Sequence, residues 1–342
     1  MNARFSKPKA DPLFVQNDLW PIRHGFFGLY GGIGPLQHAA LQASCLPVHS
    51  DSPHSIHSDQ QNRCALIKTV ARASLAALHF TGTAWLSNQK HTNRVLVLPR
   101  DQQSIMQPAD ALITNDPDAF IGIITADCAP ILIYDGVAKV IAAIHAGWRG
   151  AVSGIIEETV RQMYAMGATI SNLQATIGPM IRSASYQVSP DFVQTVQDAS
   201  AWNISTMVRT VGDCVFFDLP LYIHKRLESL VSNITDIHID TFSRTDFFSH
   251  RRATHHQKQA NRDNRTGFDK WSEQSGCKSE HQKITENTSV KNAMMPPLGE
   301  TLGESLGNES VTCWAEGSGE NSPNSHGRNI SWISLAARTN PL

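Results

Sequence analysis

Residues 120–150 read FIGIITADCAPILIYDGVAKVIAAIHAGWRG, and this stretch decides the fold. Phe120–Ala126, Pro130–Tyr134 and Lys139–His145 are short, nearly continuous apolar runs bounded by turn residues, as expected of strands buried on both faces. The last two runs are separated only by a tight turn around Tyr134-Asp135-Gly136, so they pair as a hairpin. Cys128 and His145, 17 positions apart, then meet at its open end. A soft thiolate beside an imidazole, joined by a third nitrogen donor, makes a zinc site with one position left for substrate, because catalytic zinc commonly keeps three protein ligands and an exchangeable water.

Downstream of His145 the period changes. Val152, Ile155, Ile156, Thr159 and Met163 fall on one face of a helix over 151–166, and Gly167 follows as a C-terminal stop. The strand therefore delivers His145 into a loop that opens into a helix. Arg149 and Gly150 lie at its N-terminus, where free N–H groups and the dipole favour an anion such as phosphate. Arg149 is thus a candidate anion contact, although the same position suits a surface cation. Trp148 is either packing or a ring on which a flat heterocycle stacks. Asp127, beside Cys128, is a candidate proton carrier or orienting group, or else a turn residue that bonds nearby N–H groups. The third donor is the least defined by local pattern, since the chain holds 15 histidines. His91, in a polar stretch just before the strand-like Arg94–Leu98, is the best placed, whereas His54, His57, His255 and His256 read as surface residues.

The whole chain of 342 residues is 41% apolar, enough for a buried core. Lys+Arg 29 against Asp+Glu 30 gives a net charge of −1, which leaves no electrostatic footprint for nucleic acid or an anionic membrane and favours a small substrate. No apolar stretch approaches the ~20 residues of a membrane helix. The N-terminal residues do not read as a secretory signal. The six cysteines are scattered without a CxxC pair, which argues against a disulfide framework and for a reducing, cytoplasmic setting. From 254 to 325 the sequence is polar and lacks any sustained period, so we expect a disordered insertion. Ile330–Ala336 is apolar again and reads as a final strand or helix that rejoins the core.

The elements ADCAP (126–130), HAGWRG (145–150), IGP (177–179) with Tyr186-Gln187-Val188, Pro108–Ala111 with Thr114, and FFSHRR (247–252) occur together and in order. In this the chain resembles the YfiH-type polyphenol oxidase (laccase-domain) family, over about residues 21–252. The resemblance implies an α+β single domain, a β-sandwich of mixed sheets flanked by helices, a fold shared with certain cysteine-dependent toxins. It implies an N-terminal extension over 1–20, a catalytic domain over 21–253, the polar insertion over 254–325 and a closing segment over 326–342. It also implies phosphorolysis of adenosine, inosine, guanosine and methylthioadenosine and deamination of adenosine, with purine nucleosides and phosphate as the partners. The metal ligands it implies are His91 of Gln89-Lys90-His91, Cys128 and His145, with zinc as the metal and copper as the alternative. With these ligands, Cys128, Asp127 and Arg149 are read as the catalytic group. The chain departs from the pattern at Thr92, where the family has glycine, and at Gly28-Leu29, where it has Thr-Arg. Three rivals remain on sequence grounds: a metal-free cysteine hydrolase using Cys128 and His145, a copper-dependent polyphenol oxidase, and a scaffold stabilised by zinc without catalysis.

Overall fold

The hairpin is present in the computed structural model, which describes residues 14–28, 83–98, 108–255, 311–312 and 329–337. Its arms are β7 (Ala129–Asp135) and β8 (Val140–Ala146), antiparallel, with Pro130 opposite His145 and Asp135 opposite Val140. Both strands are buried throughout. The Asp135 carboxylate makes the turn by accepting from the N–H groups of Val137 and Ala138, each at 2.8 Å.

Around this hairpin a six-stranded sheet is ordered β13-β9-β7-β8-β5-β4, adding β4 (Val95–Leu98), β5 (Ala111–Thr114), β9 (Leu173–Ile177) and β13 (Asn233–Asp236). Alternation assigns its two faces. Ile131, Ile133, Ala142, Ile144 and Ile113 point toward α2 (Ile155–Ala165) and α4 (Leu219–Leu227), where Ile156, Val160, Met163 and Tyr222 complete one core. Leu132, Tyr134, Ile141, Ala143 and Leu112 point the other way, into a second core with Trp20, Phe26, Ile121, Ile123 and Ile333.

That second core is closed by another six-stranded sheet, ordered β1-β2-β15-β6-β3-β14. Its members are β1 (Phe14–Val15), β2 (Ile22–Phe27), β3 (Thr83–Leu86), β6 (Ala119–Thr125), β14 (Val311–Thr312) and β15 (Asn329–Ala337). The result is a sandwich of two mixed sheets with helices on one outer face. A small sheet of β10 (Gln187–Val188), β11 (Val208–Val211) and β12 (Cys214–Phe217), with α3 (Pro190–Ala199), flanks one side. Within the second six-stranded sheet the Trp332 side chain of β15 lies against its cross-strand partner Gly122 of β6, where a Cβ would come within 2.3 Å of the ring. Trp332 is fully buried and lies across that glycine.

Several expectations change at this level. The helix expected over 151–166 is two pieces, α1 (Trp148–Val152) and α2, because Gly154 takes the left-handed conformation at φ 88° and breaks the run. The boundary expected after residue 20 falls inside packed structure, since β1 pairs with β2 and Asn17 and Trp20 are buried. Of the 254–325 segment, residues 256–310 and 313–328 lie outside the described residues. Residues 254–255 end a helical stretch, and β14 pairs in parallel with β3. Leu29 lies outside the described residues as well. Cys214 is buried on β12, and Cys128 is the free cysteine among the described residues. No helix among the described residues is long and apolar enough to cross a membrane.

Candidate metal centre

The site is built where three segments meet at the open end of the hairpin. His145, on β8, is 3% exposed and points between the sheets. Cys128 sits one residue before β7, half-buried, and His91 lies on the exposed loop between β3 and β4. A donor atom from each of the three lies within 4.8 Å of the other two. Cys128 Sγ and His91 Nε2 are 3.8 Å apart, and the two imidazole rings meet edge-on at 4.7 Å. Donors bound at zinc distances in a tetrahedron stand about 3.3–3.6 Å from one another, so the arrangement needs little contraction. Gly147 is required for this approach: a Cβ there would lie 2.9 Å from Cys128 Sγ and 3.0 Å from His91 Cδ2.

Two donors sit next to strained backbone. His91 has φ 58° and Asp127, just before Cys128, has φ 87°. Non-glycine residues take such conformations only where surrounding contacts impose them, and they gather at functional sites. For His91 the imposing group is Asp110, whose carboxylate accepts from the consecutive N–H groups of Lys90, His91 and Thr92 and from the Thr92 hydroxyl. The same carboxylate accepts from His145 Nδ1 at 2.8 Å. Gln89 anchors the loop to β6, its amide bonding both the N–H and the C=O of Ile124 as a further strand residue would.

For Asp127 the partners are distant in sequence. One oxygen accepts from the Thr241 hydroxyl and the other from the Arg251 N–H, each at 2.6 Å. Its own C=O accepts from Ile181 N–H. Arg149 lies in the short helix α1, exposed, its guanidinium 4.6 Å over the Trp148 ring. Trp148 is half-buried and meets Phe192 edge-on.

Electrostatics tie the donors together. Burial pushes the Cys128 thiol up, but the facing imidazoles of His145 and His91 more than reverse this and bring it down to about 6. Burial likewise pushes His145 down, and the Cys128 sulfur with the Asp110 carboxylate raises it to about 9. Without a metal the pair is therefore thiolate and imidazolium across neutral pH. Metal ligation needs both deprotonated. Between pH 6 and 9 binding must expel one proton from His145, so zinc affinity should rise about tenfold per pH unit in that window. It should steepen below pH 6, where the thiol is also protonated, and level off above 9. Zinc competition titrations against pH check this, and a flat profile between 6 and 9 would refute the pairing.

A family model described as multi-copper polyphenol oxidoreductase laccase matches residues 50–261. The chain belongs to this family. Among curated relatives is the purine nucleoside phosphorylase RC0672 of Rickettsia conorii, 31% identical over 175 residues, covering 50% of this chain and 71% of the relative. Another is the adenosine deaminase RL5 from an unknown prokaryotic organism, 34% identical over 131 residues, covering 36% and 50%. Among solved structures, the Bacillus licheniformis hypothetical protein YfiH shares the fold at a TM-score of 0.55 and 23% identity, covering 71% of this chain and 92% of that one.

All five site residues singled out in the sequence lie in this region: His91, Cys128 and His145 converge, Asp127 braces the Cys128 loop, and Arg149 stands on α1 beside Trp148. Two residues carried no role in the sequence reading. Asp110 was visible only as part of the element Pro108–Ala111, and Tyr186 only as part of Tyr186-Gln187-Val188. Tyr186 lies against Phe192 and under the Arg251 guanidinium. Burial, with the charges of Cys128 and Asp127 adding to it, holds its hydroxyl above the ordinary phenol value.

Proposed function

We propose that this chain is a purine nucleoside enzyme that binds zinc through His91, Cys128 and His145, and that it carries out nucleoside phosphorolysis and adenosine deamination. The observation that carries the reading is the convergence of a thiol and two imidazoles within 4.8 Å, in a family whose relatives are named for purine nucleoside phosphorolysis and adenosine deamination. One thiolate with two imidazoles suits zinc and leaves a coordination position open. Zinc in such a set supplies Lewis acidity and makes hydroxide available near neutral pH.

The chain's own residues divide the remaining work. Trp148 and Tyr186 offer ring surface for a flat purine. The Arg149 guanidinium, exposed and planar, suits a phosphate oxyanion. Asp127, with both carboxylate oxygens already accepting strong hydrogen bonds, holds the Cys128 loop in its left-handed turn and is placed to orient rather than to shuttle protons.

Metal analysis and a panel of adenosine, inosine, guanosine and methylthioadenosine on one preparation test the reading. Stoichiometric zinc with turnover supports it; stoichiometric copper with phenol oxidation would replace it. Arg149→Ala should weaken phosphate-dependent cleavage more than deamination, because only the former needs an anion. Equal loss in both assays would place Arg149 on the nucleoside or in the scaffold.

A second reading is favoured by one observation: the low thiol value of Cys128 opposite His145 is also what a cysteine nucleophile with an imidazole base requires. Zinc content separates the two.

A further inference from the structure

Asp110 is fully buried at the start of β5, and its only ion-pair partner among the described residues is His145. No lysine or arginine side chain there balances it. One oxygen accepts from His145 Nδ1 at 2.8 Å and from His91 N–H at 2.9 Å. The other accepts from Thr92 N–H and Thr92 Oγ1, both at 2.7 Å, and from Lys90 N–H at 3.2 Å. The backbone adds a further link, because His145 N–H donates to the Asp110 C=O at 2.7 Å.

We propose that Asp110 is the positioning residue of the metal centre, one carboxylate that sets both imidazole donors at once. The inference rests on the reading that His91, Cys128 and His145 hold a metal. Toward His145 the carboxylate can only accept, so Nδ1 carries the proton and Nε2 keeps the lone pair a metal needs. Toward the 90–92 loop it gathers three consecutive N–H groups, a nest that requires the left-handed turn at His91 and so aims that ring at Cys128. Charge supplies the reason for a buried acid here. A thiolate and a carboxylate enclosed with two neutral imidazoles are balanced by a dication.

Asparagine tests this with little change in shape. One side of the amide faces three donors and the other faces two, so its oxygen turns to the Thr92 side. Its NH₂ then opposes His145 Nδ1, which can accept only by moving its proton to Nε2, and that tautomer cannot bind the metal through Nε2. In zinc competition against a chromophoric chelator, Asp110→Asn should bind about 10–100-fold more weakly than the wild-type protein. The imidazole ¹⁵N spectrum of the zinc-loaded variant should lose the protonated-Nδ1, ligated-Nε2 pattern that the wild type shows for His145, a change that a merely structural role would not produce. Thr92→Val, which removes one hydrogen bond to the carboxylate, should weaken zinc by a smaller factor. It decides the matter should Asp110→Asn fail to fold. Affinity within about twofold of wild type in a folded Asp110→Asn, or in Thr92→Val where the asparagine variant does not fold, would overturn the proposal, since outer partners of this kind are normally worth tenfold or more. So would weakened binding with the His145 pattern unchanged. Cys128→Ala serves as the reference. Wild type and Cys128→Ala binding zinc alike would remove the metal reading itself, whereas a wild type that binds, a Cys128→Ala that does not and an Asp110→Asn equal to wild type would remove only the role of Asp110.

Discussion

Cys128→Ala is expected to lose bound metal and both nucleoside activities together, with turnover down by several orders of magnitude. The sulfur is the one soft donor of the three, and its removal leaves two imidazoles of which one, His91, is exposed. The substitution is mild for the fold, because Cys128 lies outside β7 and is half-buried. Inductively coupled plasma analysis beside the nucleoside assay reads both quantities from one sample. Activity lost while zinc stays stoichiometric would instead mark Cys128 as a nucleophile.

Truncation after residue 253 is expected to leave a chain that does not fold. β15 lies between β2 and β6, paired antiparallel with both, so its loss opens the sheet at its centre. Ile330, Trp332 and Ile333 are at most 1% exposed. Burying each stabilises by about 1.5–3 kcal/mol, together on the scale of a domain's whole net stability of about 5–15 kcal/mol. Replacing 254–325 with a short Gly/Ser linker should behave oppositely, leaving folding and turnover nearly unchanged, because the only sheet element it removes among the described residues is β14, a two-residue edge strand paired with β3 alone. The Asn329 side chain accepts from the Phe248 N–H and donates to the Phe248 C=O, at 2.8 and 2.9 Å, so the flanks of the segment are already held together. Shortening the loop about eightfold adds about 2 kcal/mol through lower closure entropy. Thermal unfolding and nucleoside turnover of the two variants check this pair, and loss of turnover in a folded linker variant would give the segment a part in the pocket.

The hairpin was legible because both apolar runs and their turn are contiguous, and the register follows from the turn alone. It brought Cys128 and His145 together without further information. Local pattern marked His91 only as the best placed of many histidines, and the family resemblance singled it out, since its loop reaches the hairpin through Asp110, a residue whose partners lie 18 to 35 positions away. No periodicity marks a carboxylate that bonds across such distances. The break between α1 and α2 was hidden because its apolar positions keep one helical face through Gly154, and only the positive φ there separates them. Ile330–Ala336 was legible as apolar, but its place at the middle of a sheet was not, because strand order depends on which edges remain free after the rest of the chain has folded. For Asp127 the sequence offered a proton carrier, an orienting group or a turn residue bonding nearby N–H groups, whereas its carboxylate bonds run to Thr241 and Arg251, far off in sequence.

The central position of β15 also bears on how the protein is made. β6 ends at Thr125 and its partner residue, Asn329, is 204 positions later. At about 5–20 residues per second a ribosome needs roughly 10–40 s to cover that interval. Throughout it, β2 and β6 have emerged while the strand that joins them has not, so the two strands that flank its place wait with open backbone edges. The polar run of 254–325 lengthens this interval. A nascent chain of this design spends its synthesis exposed to edge-to-edge pairing with its neighbours on the same message, and its yield at high expression should depend on holdase chaperones more than its final stability suggests.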